Sequence, residues 1–211
     1  ALLQSMQGLT IGDRVRLYVD AEAGSDTNNG KATTTAVQTI DRALVLANAF
    51  QQAIICLKRG QTHVATDKSN EYGMGIQLYH RTLRFEDYGT ASDMPKIQNA
   101  IFAYNCNLEW KDIDFAWNNG AFTMYNTICN FESCSLYFVE SKNSFSKVYL
   151  CGIHGKWTQY GGFSTISSAN PVNSIQANEG ARIDCSSSTI VECGNDGTSV
   201  ISIQTGGTQS E

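Results

Sequence analysis

Glu109 and Glu132 stand at matching places in a stretch of this chain that repeats without gaps. Cys106-Asn-Leu-Glu-Trp-Lys-Asp-Ile-Asp-Phe115 aligns on Cys129-Asn-Phe-Glu-Ser-Cys-Ser-Leu-Tyr-Phe138 at an offset of 23 residues. If the two copies are stacked strands, Glu132 lies directly above Glu109, roughly 5 Å away. Like charges that close push one carboxyl pKa upward, which is how a general acid is prepared. Glycoside hydrolysis uses such a pair, closer for retention and wider for inversion. The same alignment makes a second outward column of Asp114, Tyr137 and His154, and sets Tyr149 above the two glutamates. These four acid–base residues, Glu109, Glu132, Asp114 and His154, are the catalytic candidates. The alternative is a solvated face on which acids recur by chance and Lys111 neutralises them.

Aromatic side chains supply the second candidate chemistry. Trp117, Trp157, Tyr160 and Phe163 lie in Asn/Gly-rich or Gly-rich stretches rather than inside clean strands. With Tyr137 and Tyr149 they could stack on sugar rings while Asn and Gln take the hydroxyls. The competing role is to fold over the surface and cover seams. Asn118, Asn119, Asn126 and Asn130 suit either sugar contact or a ladder of turn amides.

No metal or cofactor is expected. There are seven Cys but no CxxC, and His63, His80 and His154 are the only histidines, a poor zinc set. Asp26, Asn28 and Asn29 in Gly24-Ser-Asp-Thr-Asn-Asn-Gly30 loosely match a calcium loop that lacks its closing glutamate. Asx-turn hydrogen bonding is the alternative. The odd cysteine count and apolar surroundings such as Ile-Ile-Cys56-Leu read as buried free thiols acting as small hydrophobes, in a chain that folds in a reducing compartment.

The elements that would position these groups are short strands. Phe131-Glu-Ser-Cys-Ser-Leu136 aligns on Val148-Tyr-Leu-Cys-Gly-Ile153 at an offset of 17, and Ser174-Ile-Gln176 recurs as Ser202-Ile-Gln204 at an offset of 28. A period near 20 residues with alternating strands inside it is the pattern of a parallel β-solenoid. Leu108, Phe131 and Val148 would form one inner column, and Ile113, Leu136 and Ile153 another, with a bend near Lys111 and Asp112 and with Cys134 and Cys151 in register. Strands are expected at 16–20 and 53–58, one amphipathic helix at 36–50, and regular coils from about residue 72. Residues 1–16 read as a lead-in and 17–211 as one domain.

Composition narrows the function. Of 211 residues, 17% are charged and 42% hydrophobic, and the net charge is −5. An acidic chain without clustered Lys and Arg is a poor nucleic-acid binder, and no apolar run approaches the ~18 residues of a membrane span. Neither nucleic acid nor membrane insertion is expected.

Leu17-Tyr-Val-Asp, Gly24-Ser-Asp-Thr-Asn-Asn-Gly30, Gln38-Thr-Ile-Asp-Arg-Ala-Leu44 and Ile55-Cys-Leu-Lys-Arg-Gly60, followed by Tyr88-Gly-Thr-Ala-Ser-Asp-Met-Pro-Lys-Ile97, resemble the opening of right-handed parallel β-helix proteins of the pectate-lyase-like superfamily. The resemblance covers roughly residues 17 to 115. It implies an all-β right-handed parallel β-helix whose N-terminal α-helix caps the open end. Cysteine usage, the lead-in without a visible signal peptide, and polar, low-charge coils favour the branch of bacteriophage tailspikes and tail fibres. That branch implies a homotrimer in the virion, an upstream attachment domain, and host surface polysaccharide as ligand. On the same fold, a depolymerase acting through Glu109 and Glu132, or Asp114 and His154, is the alternative, and a structural shaft is a third. Gly152-Ile-His-Gly155 and Arg182-Ile-Asp184 loosely resemble polygalacturonase motifs without the paired aspartates, and Lys111, Lys147, Lys156 and Arg182 are available to a lyase.

Overall fold

The computed structural model describes residues 14–64, 75–98, 100–115, 121–136, 140–168, 174–178, 180–185, 192–195 and 197–203. Strands pair in parallel throughout, coil upon coil, as a β-solenoid. The first face is a nine-stranded sheet of β1 (Arg14–Val19), β2 (Gln52–Lys58), β5 (Thr82–Tyr88), β8 (Asn107–Lys111), β10 (Ile128–Glu132), β13 (Ser146–Cys151), β15 (Phe163–Ser168), β17 (Arg182–Cys185) and β19 (Val200–Ile203). The second face runs through β4 (Gly75–Tyr79), β7 (Ala100–Tyr104), β9 (Ala121–Tyr125), β12 (Glu140–Ser144), β14 (His154–Tyr160), β16 (Ser174–Asn178) and β18 (Glu192–Asn195). A short third face links β3 (Thr62–His63) to β6 (Lys96–Ile97), then to Asp114, to β11 (Ser135–Leu136) and to the start of β14. Solenoid pairing begins at β1, well before residue 72.

Alternation decides what enters the core. Along β8, Leu108 and Trp110 are buried while Asn107, Glu109 and Lys111 face outward. Stacking turns these positions into columns. Leu83, Leu108, Cys129, Val148 and Ile166 form one, and Phe85, Trp110, Phe131 and Leu150 the next. Phe85 and Trp110 stack with centroids 4.1 Å apart, and Phe115, Phe122, Phe131 and Trp157 fill the centre edge-on or tilted. The helix, α1 (Ile40–Ala47), is shorter than the expected 36–50. Thr39 Oγ caps it by accepting from the Arg42 N–H, and Ile40, Ala43 and Ala47 are its buried stripe against β1 and β2.

The register differs from the sequence alignment by two residues. Cys129 pairs with Leu108 and Glu132 with Lys111, so the first repeat is 21 residues, Asn105 to Asn126, rather than 23. The next is 19, Asn126 to Phe145, rather than 17. A slip of two keeps every side chain on its face but moves it to another column. The two errors have opposite sign, so Leu108 and Val148 still share a column, whereas Phe131 stacks on Trp110. Likewise Cys151 stands beside Glu132, not Cys134.

The corners set this register. Between the second and first faces, His80, Asn105, Asn126 and Phe145 all have φ near +50°. Each donates its backbone N–H to the coil above, from His80 to Tyr104 O, Asn105 to Tyr125 O, Asn126 to Ser144 O and Phe145 to Phe163 O. After the first face a second corner stacks Asp112, Ser133 and Gly152, also left-handed, which is the bend expected near Lys111 and Asp112. A short polar side chain follows the left-handed residue and closes the turn. Cys106 Sγ, Thr127 Oγ1, Ser146 Oγ and Cys134 Sγ donate to the carbonyls of Tyr104, Tyr125, Ser144 and Glu132. Cys106 and Cys134 are therefore turn donors equivalent to Thr and Ser, not merely small hydrophobes. Cys129 does act as one, with burial pushing its thiol pKa far up.

Candidate functional site

The expected carboxylate pair is not formed, because the register separates its members. Glu109 lies beside Arg84 and Asn130, and its Oε2 is 3.5 Å from Arg84 Nη1. Arg84 Nε is also 2.9 Å from Glu86, which pairs in turn with Arg16. Glu132 is held by Lys111, Nζ to Oε1 2.6 Å, and that bond raises the Lys111 pKa. Tyr149 is in the Glu109 column, above Asn130 rather than above Glu132. Among the described residues the carboxyl pushed upward is instead Asp112 at the second corner, by burial first and by the neighbouring charge of Asp87 second.

The Asp114 column is Lys96, Asp114, Ser135, His154, with Ser135 where Tyr137 was expected. Asp114 and His154 are thus two rungs, roughly 10 Å, apart along the axis. Tyr137 and Trp117 lie outside the described residues, as do Asn118 and Asn119. Trp157 is 0% exposed among Phe122 and Phe131, so it belongs to the core and offers no face to a sugar. Inward alternation on β14 put it there. Tyr149 is exposed and Tyr160 half-buried.

In the Gly24–Gly30 loop, the Asp26 carboxylate accepts from the Gln38 and Thr39 N–H groups and from the Thr39 hydroxyl. Asn28 donates to Ala36 O, and Asn29 accepts from the Lys31 N–H. Asp26 thus ties the loop to the N-cap of α1, while the two asparagines brace it against residues 31–36.

What the structure does bring together lies along the first corner. Tyr79, Tyr104 and Tyr125 occupy one outward column at the ends of β4, β7 and β9. Tyr104 and Tyr125 are parallel within 5°, centroids 5.2 Å apart. His80 sits edge-on to Tyr104 at 5.8 Å, and Phe145 edge-on to Tyr125 at 5.5 Å. The row His80, Tyr104, Tyr125, Phe145 is continuous, and Phe145 is 64% exposed. Beside it Asn126 Nδ2 donates to Asn105 Oδ1 at 2.7 Å. Of these groups His80, Asn105, Asn126 and Phe145 border an open groove of about 520 Å³ along the corner, whose ends carry Arg81 and Lys147, while the tyrosines stand outside its lining. Such a volume suits a small-molecule or oligomer segment.

Sequence reasoning passed over this row, although it left a signal. Tyr79-His80, Tyr104-Asn105 and Tyr125-Asn126 are three copies of an aromatic residue followed by one that tolerates a left-handed backbone.

No protein-family model matches this chain, and it matches no curated protein and no solved structure. The parallel β-solenoid stands on the strand pairing, and the site on its geometry.

Proposed function

We propose that this solenoid is a carbohydrate-recognition module, of the kind a bacteriophage tail fibre or tailspike turns toward the surface polysaccharide of its host, and that the first corner is its binding surface. The observation that carries this reading is the exposed row of Tyr104, Tyr125 and Phe145 beside the Asn105–Asn126 amides. Aromatic rings meet the C–H faces of sugars, amides meet the hydroxyls, and the parallel coils repeat both at roughly 4.8 Å along the axis, a spacing suited to an extended glycan. A rigid sheet corner holds these groups in place before the ligand arrives, which lowers the ordering cost of binding. Glu109 and Glu132 are each matched by a base, which favours holding a polymer over cutting it. In a trimeric virion fibre this corner would have to face outward from the neighbouring copies.

The test is retention on immobilised bacterial capsular and lipopolysaccharide glycans, comparing the protein with its Tyr104→Ala and Tyr125→Ala variants. Retention on at least one glycan, weakened at least tenfold in both variants, is expected. Retention that both variants keep would move the site elsewhere.

A further inference from the structure

Resting on that carbohydrate reading, we infer that the groove selects acidic glycans, holding one anionic group near Arg81 and another near Lys147. The two cations mark its opposite ends. Lys147 is three rungs from Thr82, the neighbour of Arg81, through Asn107 and Ile128. That is about 14 Å along the axis. Between them the lining is uncharged, with Thr82, Asn105, Asn107, Asn126 and Ile128, and among the described residues no Asp or Glu borders the groove.

The surrounding charges sharpen the case. On the first face nearby, Arg16, Arg84 and Lys111 are each matched by a glutamate, and Lys58 and Arg59 by aspartates. Arg81 and Lys147 form no ion pair among the described residues. Arg81 also borders an adjoining hollow with Asp41 of α1, which places an acid on its far side rather than in the groove. Arg14, Lys31, Lys96, Lys156 and Arg182 also form no ion pair among the described residues, so what singles out Arg81 and Lys147 is that both border one groove without acidic partners. Two that face one groove without them leave a carboxylate, sulfate or phosphate of the ligand as the matching group. The guanidinium offers a planar fork and the ammonium a point charge, so the Arg81 end is the more selective for geometry. The neutral middle, with its amides and with the rings of His80 and Phe145 toward its ends, suits the uncharged sugars between two acidic ones.

The experiment is an array of bacterial polysaccharides grouped as acidic or neutral, probed at fixed salt with the protein and with Arg81→Gln, Lys147→Gln, Tyr104→Ala and Lys156→Gln. Lys156 lies on β14, away from this corner, and is the control for nonspecific charge. Expected is retention on acidic glycans, weakened about tenfold in each of Arg81→Gln and Lys147→Gln, as for a lost charge-assisted hydrogen bond, and unchanged in Lys156→Gln. Retention on neutral glycans that Tyr104→Ala abolishes and the two cation variants keep would overturn acid selection and leave the carbohydrate reading standing. Equal losses in all three cation variants would reduce the effect to net charge and overturn it too. Retention on no glycan would overturn both.

Discussion

Lys111 and Glu132 stand side by side on adjacent coils, Nζ to Oε1 2.6 Å, where the repeated Cys-Asn-x-Glu motif had set Glu109. The pair is a direct reading of the register. Both side chains are substantially exposed, so their coupling should be only about 0.2–1 kcal/mol. Lys111→Glu alone should destabilise, by placing two carboxylates together. Adding Glu132→Lys should recover most of that loss. A double-mutant cycle from urea unfolding measures the coupling; no recovery in the swapped variant would mean that the columns are matched some other way.

That pair shows where sequence reading succeeds and where it stops. Alternation along Leu108, Glu109 and Trp110 shows which side chains enter the core, because burial of a face has a fixed period. Helix α1 is legible from the spacing of Ile40, Ala43 and Ala47, though not its early end at Ala47. Register is different. It is set by the left-handed residues at the corners; Asn126 is legible in sequence as a candidate rung of turn amides, but its partner Asn105 looks like any loop asparagine. A match of residue types placed Cys106 on Cys129, while the turn geometry places Cys106 on Thr127, whose Oγ1 accepts from the Cys106 N–H. Every statement about which outward groups are neighbours inherits that difference. Trp157 shows the same gap from another side: its Gly-rich surroundings read as loop, but the inner side of β14 buries it.

The corner donors make a prediction that separates shape from hydrogen bonding. Thr127 is 1% exposed, and its hydroxyl donates to the Tyr125 or Ala103 carbonyl while accepting from the Cys106 N–H. Thr127→Val keeps the shape and strands those groups, at a cost of about 1–3 kcal/mol. Cys106→Ser keeps a donor in the same place and should cost less than Thr127→Val. Urea midpoints for the two variants give the comparison. A Thr127→Val variant as stable as the parent would deny the hydroxyl this role.

Acid should weaken the N-terminal coils in two stages. His63 is buried, with Nε2 3.1 Å from Lys58 O, and burial lowers its pKa below the ordinary 6.5. The unfolded chain then binds a proton that the folded chain resists. The stability this confers is complete above about pH 6.5 and declines as pH falls below it, by up to about 1.4 kcal/mol per pH unit until the folded imidazole titrates. Asp20 follows at lower pH. Burial alone would raise its pKa, but bonds from Lys58, the Ala23 and Glu22 N–H groups and Gln61 outweigh it and hold the carboxyl well below the ordinary 3.8. Its contribution is present above about 3.8 and lost as the folded carboxylate is protonated. Unfolding free energies from pH 7.5 to 4.5 should show the first decline in the parent and a flatter line in His63→Gln. Parallel curves for the two proteins would assign the acid sensitivity elsewhere.

Phe145 offers the sharpest test of the corner as a binding surface, because folding and binding ask for different residues there. Its φ is +53°, in a column whose lower members Asn105 and Asn126 are the type that tolerates that backbone. A bulky side chain in the left-handed region costs roughly 1–2 kcal/mol, which Asn largely avoids. An asparagine could also extend the Asn126-to-Asn105 amide ladder by one rung. Against this, Phe145→Asn gives up the edge contact with Tyr125, worth about 0.5–1.5 kcal/mol when such pairs are buried and less at this exposed position. The balance favours a variant as stable as the parent or up to about 1 kcal/mol more so. Its glycan retention should nevertheless fall, because this ring is more exposed to a sugar than Tyr104 or Tyr125. Equilibrium unfolding and glycan binding on the same preparations measure both quantities. A gain in stability with a loss of binding would mark Phe145 as a residue kept for the ligand at the expense of the fold. Retained binding with lower stability would make the ring a packing element of the corner and remove the chief support for a binding surface.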